Sequence, residues 1–269
     1  MKTCIYVFSG TGTSLAVAKK IADSLDNAEL KLIPTILKNA EGNEINSEAT
    51  TIGFVFPNYF SRIPDIVLRF INTINLDKAN YIFSVVTSGG GPGHSLKALE
   101  HELIKKGKKL NYGKSITVSS NYIVARYYKF VCNTGKKRAN ALHKLEQKAK
   151  QFANDISCEK NEIEVRQFQL SLLFSSKSPS IDTQLWDKKL SIEENCNGCR
   201  TCENVCQVRN IKMKNEKPDF QHNCQWCMAC LQYCPQYAIG FRGRPLIKSK
   251  YFHPDYPAKE MINFIRENR

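Results

Sequence analysis

The chain has 269 residues, 42% apolar and 24% charged, enough for one large core or two smaller ones and too apolar for wholesale disorder. Thirty-nine Lys and Arg against 25 Asp and Glu give a formal charge of +14, which raises nucleic acid or a membrane surface as partners to be tested. Of 11 cysteines, only Cys4, Cys132 and Cys158 precede residue 195, while eight crowd between Cys196 and Cys234, a density that means metal or disulfides.

The first residues, Met1 to Phe8, carry a short apolar stretch that ends at Ser9-Gly10, too short for a signal-peptide core. No stretch approaches the ~18 apolar residues of a membrane-spanning helix. The expected compartment is therefore the cytoplasm, where stable disulfides are rare and dense Cys-x-x-Cys spacing points to a metal centre.

Residues 1 to 162 alternate short β-branched runs with helical stretches. Strands are expected at Cys4 to Phe8, Glu29 to Ile33, Thr51 to Phe56, Tyr81 to Thr87 and Ser115 to Ser119. Five strand–helix units imply an α/β domain with a five-stranded parallel sheet covered on both faces. Helical periodicity is clearest at Leu15-Ala18-Ile21-Ala22-Leu25 and Leu142-Leu145-Ala149-Phe152-Ile156, stripes that read as core-facing.

Between the first strand and its helix lies Ser9-Gly10-Thr11-Gly12-Thr13-Ser14. A glycine-bearing turn at a helix N-terminus presents backbone N–H groups to an anion. It is not a Walker loop, and it lacks the third glycine of a dinucleotide fingerprint. Its four hydroxyls suit a terminal phosphate monoester; a Ser/Thr-rich helix cap is the bland alternative. The third strand runs into Pro57-Asn58-Tyr59-Phe60-Ser61-Arg62-Ile63-Pro64, the fourth into Thr87-Ser88-Gly89-Gly90-Gly91-Pro92-Gly93, and Asn121-Tyr122-Ile123 follows the fifth. Ligands of open α/β sheets bind at that edge, so adjacent aromatics and a glycine-rich backbone make a slot for a flat ring attached to the phosphate. His94, just past the glycine-rich loop, is a candidate acid toward such a ring, or simply a helix-start residue.

Residues 163 to 190 read as a connector, with an apolar patch at Leu170-Leu172-Leu173-Phe174 expected to dock on a domain. The domain expected from 191 to 269 has a different pattern. Cys196-x2-Cys199-x2-Cys202-x3-Cys206 recurs 28 residues later as Cys224-x2-Cys227-x2-Cys230-x3-Cys234, an internal duplication whose halves should pack with pseudo-two-fold symmetry. Zinc needs only four ligands and would leave the third cysteine of each triplet unexplained. The doubled spacing resembles two-cluster bacterial ferredoxins, in which the fourth cysteine of each run ligates the other cluster. That resemblance implies one [4Fe-4S] cluster on Cys196, Cys199, Cys202 and Cys234 and another on Cys224, Cys227, Cys230 and Cys206. Gln207 departs from it, standing where the pattern carries proline as at Pro235. Trp226 lies inside the second triplet, as a shield for a cluster or as packing. Met261, Phe264 and Ile265 suggest a short C-terminal helix packed on one domain.

The first loop also resembles the flavodoxin phosphate loop at Ser9, Thr11, Gly12 and Ser14. The resemblance implies FMN, held by Ser9 to Ser14, Pro57 to Phe60, Thr87 to Gly91, Asn121 and Tyr122, with Tyr59 the preferred stacking residue. Taken together, the halves resemble the fused flavodoxin/ferredoxin family: a flavodoxin-like doubly wound five-stranded parallel sheet followed by a small α+β ferredoxin-like domain. Such a chain is expected to relay electrons between two clusters and FMN, joining one-electron and two-electron partners. The alternative is a flavin-dependent reductase of a small acceptor such as a quinone, a flavin or a porphyrin-like molecule, fed by a ferredoxin-type donor.

The charge then reads differently. Between Lys97 and Lys150 stand 14 basic and 3 acidic residues without any nucleic-acid motif, so an acidic redox partner is the expected use. Two clusters and a phosphate would lower the net charge to about +8. Positive charge beside the flavin would favour its anionic reduced form.

Overall fold

The computed structural model describes residues 2–91, 93–125, 134–164 and 180–268. Cys132 and the apolar patch at 170–174 lie outside the described residues. The parallel strands are β1 (Thr3–Val7), β2 (Ala28–Leu32), β4 (Thr51–Pro57), β6 (Tyr81–Ser88) and β7 (Tyr112–Thr117), and β8 (Glu162–Ile163) adds a sixth. The sheet order is β2-β1-β4-β6-β7-β8, and every pair is parallel. Short β3 (Ile45–Asn46) and β5 (Ile74–Asn75) pair separately. Apart from its edge strand, the main sheet has the flavodoxin-like 2-1-3-4-5 order. Six strands stand where five were expected. The extra one is two residues long in an acidic run with no apolar alternation, and it is held by Lys114–Glu162 pairing and by Ser115 N donating to Glu164.

Alternation along β1 sends Ile5 and Val7 to one face and Cys4, Tyr6 and Phe8 to the other. The first face packs against α1 (Thr13–Ala22) and α5 (Gly135–Ser157). The second is covered by α2 (Ile33–Ala40), α3 (Asp65–Thr73) and α4 (Ser95–Lys105). Both expected helical stripes face the core: Leu15, Ala18 and Ile21, and Leu145, Ala149, Phe152 and Ile156, are all buried.

In the second unit a 3-10 turn (Gln184–Lys189) leads into β9 (Leu190–Ile192), which pairs antiparallel with β12 (Ile239–Phe241), while β10 (Ile211–Lys214) pairs with β11 (Lys217–Phe220). The duplication is visible in the backbone. Helix α6 (Thr201–Asn204) and α7 (Ala229–Tyr233) begin 28 residues apart, and left-handed residues recur in register: Gly198 and Trp226, Arg200 and Met228, Arg209 and Tyr237. Helix α8 (Ala258–Glu267) turns back to bury Met261 and Ile265 in the core of the first unit, where Val205, Ala229 and Tyr233 also insert. No helix among the described residues is long and apolar enough to cross a membrane.

Candidate functional site

The loops at the carboxyl ends of β1, β4, β6 and β7 surround a cleft of about 390 Å³. Every residue expected to hold the flavin lines it except Gly12, which caps α1 with φ 87°. Ser9, Thr11, Thr13 and Ser14 are all buried. Two of the four hydroxyls are engaged, and Ser9 is tied through its backbone. Ser14 Oγ lies 2.7 Å from Thr87 Oγ1, Asn121 Nδ2 donates to Thr11 Oγ1 at 3.1 Å, and Gln207 Nε2 donates to the Ser9 carbonyl at 2.5 Å. The buried Thr13 hydroxyl has no partner, and a buried polar group without one is expensive, so an anion at the start of α1 suits it.

The aromatic pair does not behave as one. Tyr59 and Arg62 close a tight turn through reciprocal backbone bonds, and its central residues Phe60 and Ser61 both have positive φ, 51° and 65°. This is the type I′ geometry that Asn-Gly adopts freely, and a phenylalanine there carries strain of ~1–2 kcal/mol. The turn carries Phe60 out to the rim, where it is 44% exposed and meets Tyr122 and Trp186 edge-on at 5.3 and 5.6 Å. Tyr59, the expected stacking residue, turns inward: its ring is 6.2 Å from Phe8 and its buried hydroxyl has no partner. Burial, then the thiols of Cys227 and Cys224, hold the Tyr59 phenol well above the usual range. Both rings line the cleft, Phe60 at its exposed rim and Tyr59 half-buried deeper in.

Asn58 ties the second loop to the third: Nδ2 donates to Gly91 O at 2.8 Å and Oδ1 accepts from Ser95 Oγ at 2.9 Å. Gly91 N donates to Ser88 Oγ at 2.7 Å, while a Cβ on Gly90 would meet nothing within 4 Å, so that glycine is where a ring can lie on bare backbone. His94 stands at the start of α4 and does not line the cleft, which supports its helix-start reading. Among the described lining residues there is no Lys, Arg, His, Asp or Glu. Among the described residues no positive charge stands in the cleft, and the lysines of α5 face solvent.

Trp226, Met228 and Tyr251 also line this cleft, and all three come from the second unit. Nothing in the cysteine spacing signalled that role, because it depends on how the two units dock. Three glutamines make that docking specific. Gln207 reaches Ser9, Gln225 Oε1 accepts from Ile66 N at 3.2 Å, and Gln232 Nε2 donates to Asn121 O at 2.7 Å. Gln207, the departure from the ferredoxin pattern, is thus a link between units.

The eight clustered cysteines divide between two smaller cavities. One is lined by Cys196, Cys199, Cys202 and Cys234, the other by Cys206, Cys224, Cys227 and Cys230. Cys199 is exposed, Cys202 and Cys234 are buried, and the other five are half-buried. Backbone amides already point at sulfur: Asn210 N to Cys206 at 3.2 Å and its repeat-mate Ala238 N to Cys234 at 3.3 Å, with Trp226 N to Cys224 at 3.3 Å. Burial, ahead of neighbouring thiols, pushes Cys202 up to about 12, and burial followed by Cys227 does the same to Cys206. Cys224, Cys227 and Cys230 are also raised, burial again leading. Thiolates in such surroundings need a cationic partner to persist. No group of three or more His, Cys, Asp or Glu among the described residues converges as it would around a single metal ion. Ligands of a multi-iron core stand farther apart than that. Cys4 is buried on β1 and Cys158 ends α5, both away from these cavities.

The second cysteine cavity abuts the cleft. Trp226 and Met228 line both. A Cβ on Gly10 would lie 2.8 Å from Cys227 Cβ and closer still to its carbonyl oxygen, so the phosphate loop and the second triplet touch backbone to backbone. Asn121 Nδ2 approaches Cys227 O at 3.4 Å. The first cavity is lined by residues of the second unit alone.

No protein-family model and no curated protein matches the chain. Solved structures resemble it distantly. An FMN-dependent NADH-azoreductase from Bacillus anthracis, solved in complex with FMN, is 16% identical over 57% of this chain and all of its own, TM-score 0.36. The flavodoxin of Megasphaera elsdenii is 15% identical over 54% of this chain and 98% of its own, TM-score 0.34. An NAD(P)H:quinone oxidoreductase from Methanothermobacter marburgensis is 9% identical over 58% of this chain and 96% of its own, TM-score 0.37. At such identities and scores neither ligand nor activity carries over.

Proposed function

We propose that this chain is an electron-transfer flavo-iron-sulfur protein that relays electrons between two [4Fe-4S] clusters and FMN. FMN accepts one or two electrons and each cluster one, so a chain holding all three joins one-electron to two-electron partners. The observation that carries the reading is the shared wall: Trp226 and Met228 separate the cleft from the cavity of Cys206, Cys224, Cys227 and Cys230. The residues of the cleft fit a flavin phosphate. Hydroxyls and backbone amides gather at the start of α1, the Thr13 hydroxyl lacks a partner, and Phe60 and Gly90 flank the space for a ring. The cysteine sets fit clusters ligated across the repeat, Cys206 joining the second triplet and Cys234 the first.

The other cavity, with Cys199 exposed, is the side from which an outside protein reaches a cluster. The lining of the cleft favours the relay over the reductase reading, since no described side chain there is a carboxyl, imidazole or ammonium group. An acidic protein partner, no nucleic acid and a cytoplasmic setting complete the proposal.

Anaerobic purification with iron, sulfide and flavin analysis tests it, the expected content being about eight irons and one FMN per chain. Reduction of the flavin by a ferredoxin-type donor should require the cysteine clusters. A flavin reduced equally fast in a Cys199→Ser/Cys202→Ser protein that holds FMN but lacks the first cluster would overturn the relay.

A further inference from the structure

Six buried side-chain atoms among the described residues lack a hydrogen-bond partner. Two of them are donors on residues that line the second cysteine cavity, the Gln225 amide nitrogen and the Trp226 indole nitrogen; a third, the Tyr59 hydroxyl, belongs to a residue of the adjoining cleft. Gln225 and Trp226 line that cavity and are each 3% exposed. The Gln225 amide orientation is fixed by its neighbour: Ile66 N can only donate, so the oxygen faces it and the NH2 is left over. Trp226 is held at φ 52°, a strained setting for a large side chain, by Trp186 at 5.2 Å and Phe241 at 5.8 Å. Tyr59 packs in the same apolar cluster as Cys227. None of the residues lining the first cysteine cavity has such an orphan atom.

Orphaned donors at this density are costly unless something accepts from them, because each forfeits about 1–3 kcal/mol of hydration. The sulfur atoms of a cluster accept hydrogen bonds, and such bonds help set its potential. We propose, on the footing of the relay reading above, that Tyr59, Gln225 and Trp226 donate hydrogen bonds to the sulfurs of the cluster held by Cys206, Cys224, Cys227 and Cys230, and so raise its reduction potential. They are positioning residues for that cluster. Reduction adds one negative charge, and a poorly hydrated site resists it. The first cluster, at exposed Cys199, is open to water for this purpose, whereas the second, beyond the backbone amides of Asn210 and Trp226, draws on these side chains. The donors therefore keep the cluster next to the cleft reducible by the one next to solvent.

The test is an EPR-monitored redox titration of the anaerobic holoprotein and of Tyr59→Phe, which removes one oxygen and keeps the ring. The expected result is a tenfold lower reduced-to-oxidised ratio for the second cluster at a fixed potential, a shift of −59 mV for one electron, with the first cluster unmoved. Trp226→Phe should act in the same direction. In wild type after D2O exchange, ENDOR of the reduced second cluster should show exchangeable deuterons from side chains, and Tyr59→Phe should lose one. A full iron complement with an unshifted second potential in both variants, or with no such deuteron in wild type, overturns this inference and leaves the relay standing. Wild type without clusters overturns both.

Discussion

Replacing Gly10 by alanine places a methyl group against the backbone of Cys227, 2.8 Å from its Cβ and nearer to its carbonyl oxygen. Neither atom is the end of a flexible side chain, so the strain must be met by moving the phosphate loop away from the second cysteine triplet. Reaching ordinary contact requires a separation of about 1 Å. Overpacking of this kind typically costs about 1–3 kcal/mol. Separation also stretches the Gln207–Ser9 and Asn121–Cys227 hydrogen bonds, each with a net contribution of about 0.5–1.5 kcal/mol. Gly10→Ala is therefore expected to lower stability by about 2 kcal/mol and to weaken FMN roughly 5- to 30-fold. Urea unfolding of the anaerobic holoprotein measures the first, and fluorescence titration of flavin-stripped protein the second. Gly90→Ala is the control in the flavin-stripped protein, where its Cβ meets nothing within 4 Å and stability should stay within about 0.5 kcal/mol of flavin-stripped wild type. A Gly10→Ala protein as stable as that control, with FMN affinity unchanged, would refute the packing of loop against triplet.

Ligation across the repeat predicts that Cys206→Ser abolishes the cluster beside the cleft and Cys234→Ser the one beside solvent; Mössbauer and EPR spectra showing the reverse assignment would exclude crossed ligation. Phe60→Ala should weaken FMN by about 0.5–1.5 kcal/mol if the ring stacks, whereas Phe60→Gly loses the same contact but relieves a positive φ and so is the more stable of the two. Asp187, 1% exposed, accepts from Asn210 Nδ2 at 2.9 Å and His222 N at 3.1 Å, so Asp187→Ala should cost about 3 kcal/mol and release iron at lower temperature. Raising ionic strength should slow electron transfer with the physiological partner, and reversing the exposed Lys136, Lys137 and Lys144 should remove most of that salt dependence; a rate indifferent to both would discard an acidic partner.

Much of this was written locally. Five strands were legible because apolar runs bounded by turns encode a buried parallel sheet, and the loops proposed to hold a flavin lie where such sheets present their ligand edge. The cysteine register was legible because ligand spacing is a local property, and the 28-residue period carried it into paired left-handed residues and paired N–H···S bonds. Edge strand β8 was not legible, being two residues whose pairing depends on Lys114 and Ser115 from elsewhere. Only the docking of the two units decided the rest. It brought Trp186 against Phe60, made Gln207 a link to Ser9, and placed Trp226 and Met228 in the wall between two cavities. Composition and periodicity record which residues are buried, whereas which loops meet across the two units is set by contacts between segments more than 100 residues apart. The eight cysteines and the phosphate loop could be read one at a time; their adjacency is a property of the folded chain.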